Sequence, residues 1–256
     1  MLDGDAAGGF LRRAHLHVAP LYSASFGPFL AETRKGHNRC QHDKLKFEIN
    51  GVIETEKTEM EKLAEAVLGR IFVPLEASGR HVHVTAEQAK RLFGHSLTPD
   101  RPLSQPGQYL AKERVTVAGP KGEFQNVAVL GPERKEAQVE ISLTDGRTLG
   151  IQPPVKLSGD AQNSPGCTLI GPNGTVKLEQ GVICARRHIH LTPKDGQRFG
   201  VKDKQVVKLQ TFTSRPAVFE DVVVRINPDF SAAVHLDYDE ANACGFQKGD
   251  WGRILP

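Results

Sequence analysis

The 256 residues carry 33 Lys plus Arg against 30 Asp plus Glu, a formal net charge of +3, too mild for the concentrated basic face of a nucleic-acid binder. The length allows one large domain or two small ones, each with its own core, and no apolar run approaches the ~20 residues of a membrane-spanning helix. Four scattered cysteines (Cys40, Cys167, Cys184, Cys244) without a CxxC fit reduced thiols in a cytosolic setting, and many Val, Gly and Pro with few aromatics point to a β-rich protein.

Residues 1–57 mix glycine, histidine and basic residues without periodicity and are expected to form a flexible N-terminal extension. Within them "HNRCQHD" offers His37, Cys40 and His42, but structural zinc wants a fourth ligand, so no zinc site is expected there. Residues 58–72 read as an amphipathic helix: Met60, Leu63, Ala64, Val67, Leu68 and Ile71 form one apolar stripe. So short a helix is marginal alone and needs a surface, either this protein's core or a partner.

From residue 73 the chain turns to short apolar runs broken by Gly and Pro, read as strands: "RVTVAG", "NVAVLG", "QVEISL", "TVKLEQGVICA", "QVVKLQTF", "DVVVRI" and "AAVHLDY". The phrase "RHVHVT" at Arg80 returns as "RHIHLT" at Arg187, each followed by a short helical piece ending in Phe-Gly. "FQNVAV" at Phe124 likewise returns as "FEDVVV" at Phe219, and the same offset sets Glu140 on His235. The economical reading is a mainly β protein of two homologous small β-barrel domains with short capping helices, residues 73–150 and 181–256, joined by a connecting segment at 151–180.

On a strand, residues i and i+2 share a face, so His81 and His83 look one way, as do His188 and His190. Imidazole is the commonest transition-metal ligand side chain. Glu140 and His235, isolated polar residues in apolar strands, complete six candidate metal ligands; a buried carboxylate is costly without a partner such as a metal. Arg134 follows a Gly-Pro turn six positions before Glu140, and its planar fork suits an oxyanion. Lys121, on the turn "GPKG", offers a second positive charge. A double cupin also uses HxH metal motifs and finds Glu87 after His83, but "TAEQAKRLFG" reads as a helix where a cupin strand must continue. Cys184 reads as strand packing, and no Ser or Cys stands in a nucleophile motif.

With "SGRHVHVT", "LSQPGQY", "GPERKEAQVEIS", "DGRTLGI", "SGD", "SPGCTLIGPNG", "RRHIHLT" and "AVHLDYDEANA" in order, roughly residues 60–256 resemble the propanediol-utilisation (PduL-type) phosphotransacylases, the phosphate propanoyltransferases. The resemblance implies two β-barrel domains around a dinuclear Zn2+ site, with other divalent metals as alternatives, held by His81, His83, Glu140, His188, His190 and His235. The implied reaction is reversible acyl transfer between coenzyme A and inorganic phosphate, with Arg134 as the catalytic phosphate-binding residue. Ala77, Ser78, Gly79, Lys121 and Asn242 match coenzyme A contacts, whereas Ala128 stands where a basic residue is common, which puts that contact in doubt. Shorter members begin with a helix that targets bacterial microcompartments. Residues 58–72 are similar to it, which implies a shell or cargo partner, a microcompartment lumen or cytoplasmic location, and leaves a homo-oligomer open. Met60 is one candidate start, and a genuine upstream extension is equally allowed. No nucleic acid or membrane partner is expected.

Overall fold

The computed structural model describes residues 58–255; the expected extension, with His37, Cys40 and His42, lies outside them. The described residues open with α1 (Glu59–Leu68), β1 (Val73–Ser78), β2 (His81–His83), α2 (Ala86–Phe93), β3 (Pro99–Pro102), β4 (Tyr109–Ala118) and β5 (Glu123–Gly131). Next come β6 (Gln138–Glu140), α3 (Leu143–Leu149), β7 (Val155–Lys156), β8 (Cys167–Ile170), β9 (Thr175–Leu178) and β10 (Val182–Ala185). The second half holds β11 (His188–Leu191), α4 (Pro193–Phe199), β12 (Val206–Phe212), β13 (Val218–Ile226), β14 (Ala233–Asp237), α5 (Tyr238–Cys244) and β15 (Trp251–Leu255).

The strands form one closed barrel, β1-β14-β11-β13-β12-β15, and one curled half-barrel sheet, β7-β10-β6-β2-β5-β4-β8-β9, with β3 paired to β4. Strand pairing redraws the division expected from the repeat. β1 joins the second barrel, pairing with β14 and β15 and burying Val73 and Leu75 in its core. In return β10, expected to open the second domain, pairs with β6 and β7 in the first sheet. The physical reason is that a strand's pattern sets its buried face but not its neighbour. The segment 151–180 is likewise more than a connector, since β7, β8 and β9 lie within it.

The two repeated phrases fold alike, and each residue in them has a task. Thr85 and Thr192 are N-caps of α2 and α4, each in a reciprocal capping box with Gln88 or Asp195. The glycines after the Phe, Gly94 and Gly200, end those helices in the left-handed conformation that glycine adopts without steric cost. The same box recurs at the ends of two runs read as strands: Ser142 with Asp145 opens α3, and Asp237 with Glu240 opens α5. "QVEISL" therefore stops as a strand at Glu140, because Ser142 begins a helix.

No helix among the described residues is long and apolar enough to cross a membrane. On α1, Met60, Leu63 and Val67 are exposed, as is Ile71 just beyond it, so this apolar stripe is left unpacked.

Candidate metal and anion site

Strand alternation decides where the histidines point. On β11, Ile189 and Leu191 fill the barrel core, so His188 and His190 leave on the opposite face. On β14, Val234 and Leu236 face the same core and His235 turns away. In the first sheet Val82 and Val139 are the core residues of β2 and β6, which puts His81, His83 and Glu140 on the other side. Antiparallel pairing then sets His81 against Glu140, and His188 against His235.

The six expected donors thus gather as two triads, His81/His83/Glu140 and His188/His190/His235, with donor atoms within 4.8 Å of one another inside each. Carbonyl groups orient three of the rings. His81 donates Nδ1–H to Gly79 O at 2.8 Å, His83 to Leu130 O at 3.2 Å and His188 to Arg186 O at 2.8 Å. A carbonyl can only accept, so Nδ1 is the donor in each ring and Nε2 is the atom turned to the cavity; in His83 and His188 it keeps a free lone pair, as ligating imidazoles do, while in His81 it faces Glu140 Oε2 at 3.6 Å. His190 Nδ1 and His235 Nε2 are buried without a hydrogen-bond partner. Orphaned buried nitrogens are costly, and a divalent ion satisfies them; the residues fit a metal.

Electrostatics agree with that chemistry. Burial, with the charges of His81 and Arg134, drives His83 down to about 2. Burial with His188 and His235 drives His190 to about 2, and burial with His235 holds His188 at about 4. These rings are neutral near pH 7, the form that binds metal. Burial pushes the Glu140 carboxyl up, but His81 pulls it further down, to a net value well below the usual carboxylate range. Burial pushes His81 down, yet Glu140 raises it on balance. Gln138 orients Glu140 by donating Nε2–H to Oε1, and is itself held by Ser158 and the Gly159 N–H.

Both triads open onto one cavity of about 440 Å³. Arg134 and Arg225 line it as well. Arg225 stands beside His190 across the β11–β13 pair, and the Arg134 N–H donates to Val84 O at 2.9 Å, which pins its loop beside β2. Among the described residues neither guanidinium has an ion-pair or hydrogen-bond partner. Two half-buried guanidiniums without an ion-pair partner are able to hold an anion, although the Glu140 carboxylate also acts on both.

Ala77, Ser78 and Gly79 line the cavity, and a side chain at Gly79 would collide with the Tyr238 ring at 2.6 Å. Ala128 lines it too and brings no charge. Lys121 sits on the β4–β5 turn against Gly150, and Asn242 lies exposed on α5; neither borders the cavity. Glu87, the cupin-like candidate, is exposed on α2, away from both triads. Cys184 is buried, its thiol pushed up by burial and by Asp237, to which Sγ–H donates at 3.1 Å.

The sequence reading passed over Arg101, Arg225, Glu76 and Tyr238, all of which line the cavity. For Arg225 a signal existed: a lone charge near the end of the apolar "DVVVRI", the same mark that singled out Glu140 and His235.

Comparison with known proteins bears on this site. A family profile described as phosphate propanoyltransferase matches residues 74–247. The phosphate propanoyltransferase of Enterococcus faecalis is 50% identical over 204 residues, 77% of this chain and 97% of the relative. That of Clostridioides difficile is 48% identical over 202 residues with the same shares, and that of Thermotoga maritima 53% identical over 176 residues, 68% and 84%.

Proposed function

The chain belongs to the phosphate propanoyltransferase family, and we propose that it moves an acyl group between coenzyme A and phosphate with two divalent ions held by its two triads. Propanoyl-CoA and acetyl-CoA are both within the proposed range, since one methylene in an apolar pocket discriminates by only about 1–3 kcal/mol. The observation that carries the metal dependence is the opening of two three-donor clusters and two unpaired arginines onto one cavity. Five imidazoles and a carboxylate suit Zn2+, and other divalent ions suit the same donors.

Bound there, the ions supply Lewis-acid polarisation of a thioester carbonyl and charge for the leaving thiolate. Arg134, with Arg225 lining the same cavity, holds phosphate as an anion. The guanidiniums also face the charge that develops on the carbonyl oxygen as phosphate attacks its carbon directly. Fixing both reactants in one cavity supplies much of the acceleration. No covalent acyl-enzyme is needed: Cys184 is protonated and does not border the cavity. Ala77, Ser78 and Gly79, which line the cavity, are assigned to the thioester end of coenzyme A. Lys121 and Asn242, outside the cavity, are assigned to the more distant parts of coenzyme A.

The exposed apolar stripe of α1 supports a role in docking on a microcompartment shell or its cargo, which would place the enzyme in the microcompartment lumen or the cytoplasm. The deciding experiment is coenzyme A release from propanoyl-CoA with and without phosphate, paired with elemental analysis of the same sample. Release that ignores phosphate, or a protein with no bound metal, would overturn the reading.

A further inference from the structure

A seventh donor group faces the second triad. Glu76 lies on β1, whose Val73 and Leu75 bury into the closed barrel, so Glu76 leaves the barrel on the side of His235. Parallel pairing sets Glu76 directly against His235. Glu76 Oε2 is 3.1 Å from His235 Nε2, and the His235 ring helps to hold the Glu76 carboxyl below its ordinary value against the effect of burial.

Two donor atoms at the ~2.0–2.2 Å of zinc bonds, with tetrahedral angles, stand roughly 3.3–3.5 Å apart. A carboxylate oxygen and an imidazole nitrogen at 3.1 Å, turned to one cavity, are close enough to serve as two ligands of a common ion. In the first triad the corresponding pair, His81 Nε2 and Glu140 Oε2, is 3.6 Å apart. Ser104 donates Oγ–H to Glu76 Oε2 at 2.6 Å, holding the carboxylate over the cavity. A carboxylate oxygen has two lone pairs, so it can accept that hydroxyl and still face an ion. Charge points the same way. Three neutral imidazoles leave a dication uncompensated beside Arg225, whereas one carboxylate offsets half of it, as Glu140 does in the first triad.

We propose that Glu76 is a fourth protein donor of the second metal centre, an inference that rests on the two-ion reading above. The test titrates metal-free protein with Zn2+ in competition with a chromophoric chelator. Wild type is expected to bind two ions per chain. In Glu76→Ala and in the isosteric Glu76→Gln, the affinity of one ion should fall about tenfold or more. The unchanged affinity of the other ion reports an intact fold, and His188→Ala identifies the weakened ion by removing it. If wild type and both Glu76 variants show the same two affinities, the donor role of Glu76 is overturned and the two-ion reading stands. A wild-type chain that binds no Zn2+ overturns both.

Discussion

Arg80 grips Asp145 through two charge-assisted hydrogen bonds, Nη2 to Oδ1 at 2.7 Å and Nε to Oδ2 at 3.1 Å. Asp145 is the capping-box partner of α3, the helix that follows Glu140. In the second half Arg187 Nη1 donates to Glu240 Oε1 at 2.6 Å, and Glu240 is the capping-box partner of α5, which follows His235. Phe124 lies under the Arg80 guanidinium at 4.0 Å, and Phe219 lies 5.6 Å from that of Arg187. The arginine of each repeated phrase thus ties its histidine strand to the helix that follows the strand of the third donor.

Replacing Arg80 with alanine leaves the buried Asp145 carboxylate without its fork. Arg80 is itself about one-third exposed, which screens the pair, so the expected loss is about 1–3 kcal/mol. Lysine should recover only part of it, because it cannot bind bidentately. Urea unfolding midpoints measure this, and an unchanged midpoint for Arg80→Ala would contradict the tie.

Losing either histidine pair should abolish phosphate-dependent coenzyme A release, since neither triad suffices. The double variant His81→Ala/His83→Ala is also expected to lose one bound metal while keeping the other. Full activity in that variant would end the paired-site reading.

Arg134→Ala should weaken phosphate use while leaving the metal content intact. Loss of a charged hydrogen-bonding partner costs about 1.5–3 kcal/mol, so KM for phosphate should rise about 10- to 150-fold. Arg225→Ala is expected to act in the same direction. An effect confined to KM for propanoyl-CoA would assign these guanidiniums to the other substrate.

Acid should destabilise the metal-free protein. Folding depresses His188 to about 4, and His83 and His190 to about 2, from an unfolded value of 6.5. The unfolded chain therefore takes up protons first, and stability declines as pH falls from about 6.5 toward 4 and below. Glu140, also depressed, adds to the loss below its usual range near 4.5. His81, raised by folding, opposes it: its contribution is present below 6.5 and is lost as pH rises through its folded value. Three rings outweigh one. Urea titrations in chelator at several pH values should show lower midpoints at pH 5 than at pH 7; the reverse order would refute the balance.

Charging the α1 stripe should separate docking from catalysis. Leu63→Glu with Val67→Glu, both on exposed positions, should leave turnover of coenzyme A unchanged and abolish co-sedimentation with assembled microcompartment shells. Retained co-sedimentation would move the docking surface elsewhere.

Much of this protein is legible along the chain because its signals are local. Period-two alternation turned His81/His83 and His188/His190 to common faces, and the repeat matched Glu140 with His235. Helices α3 and α5 were legible in principle too, in Ser142 with Asp145 and Asp237 with Glu240, capping patterns of the kind that opened α2 and α4. What no local pattern carries is the choice of neighbour. Only the tertiary structure moves β1 into the second barrel, and only that move sets Glu76 against His235. Only the β11–β13 pair brings Arg225 beside His190. Alternation states which face of a strand is buried; pairing between distant strands, settled by packing of the whole core, decides what stands next to it.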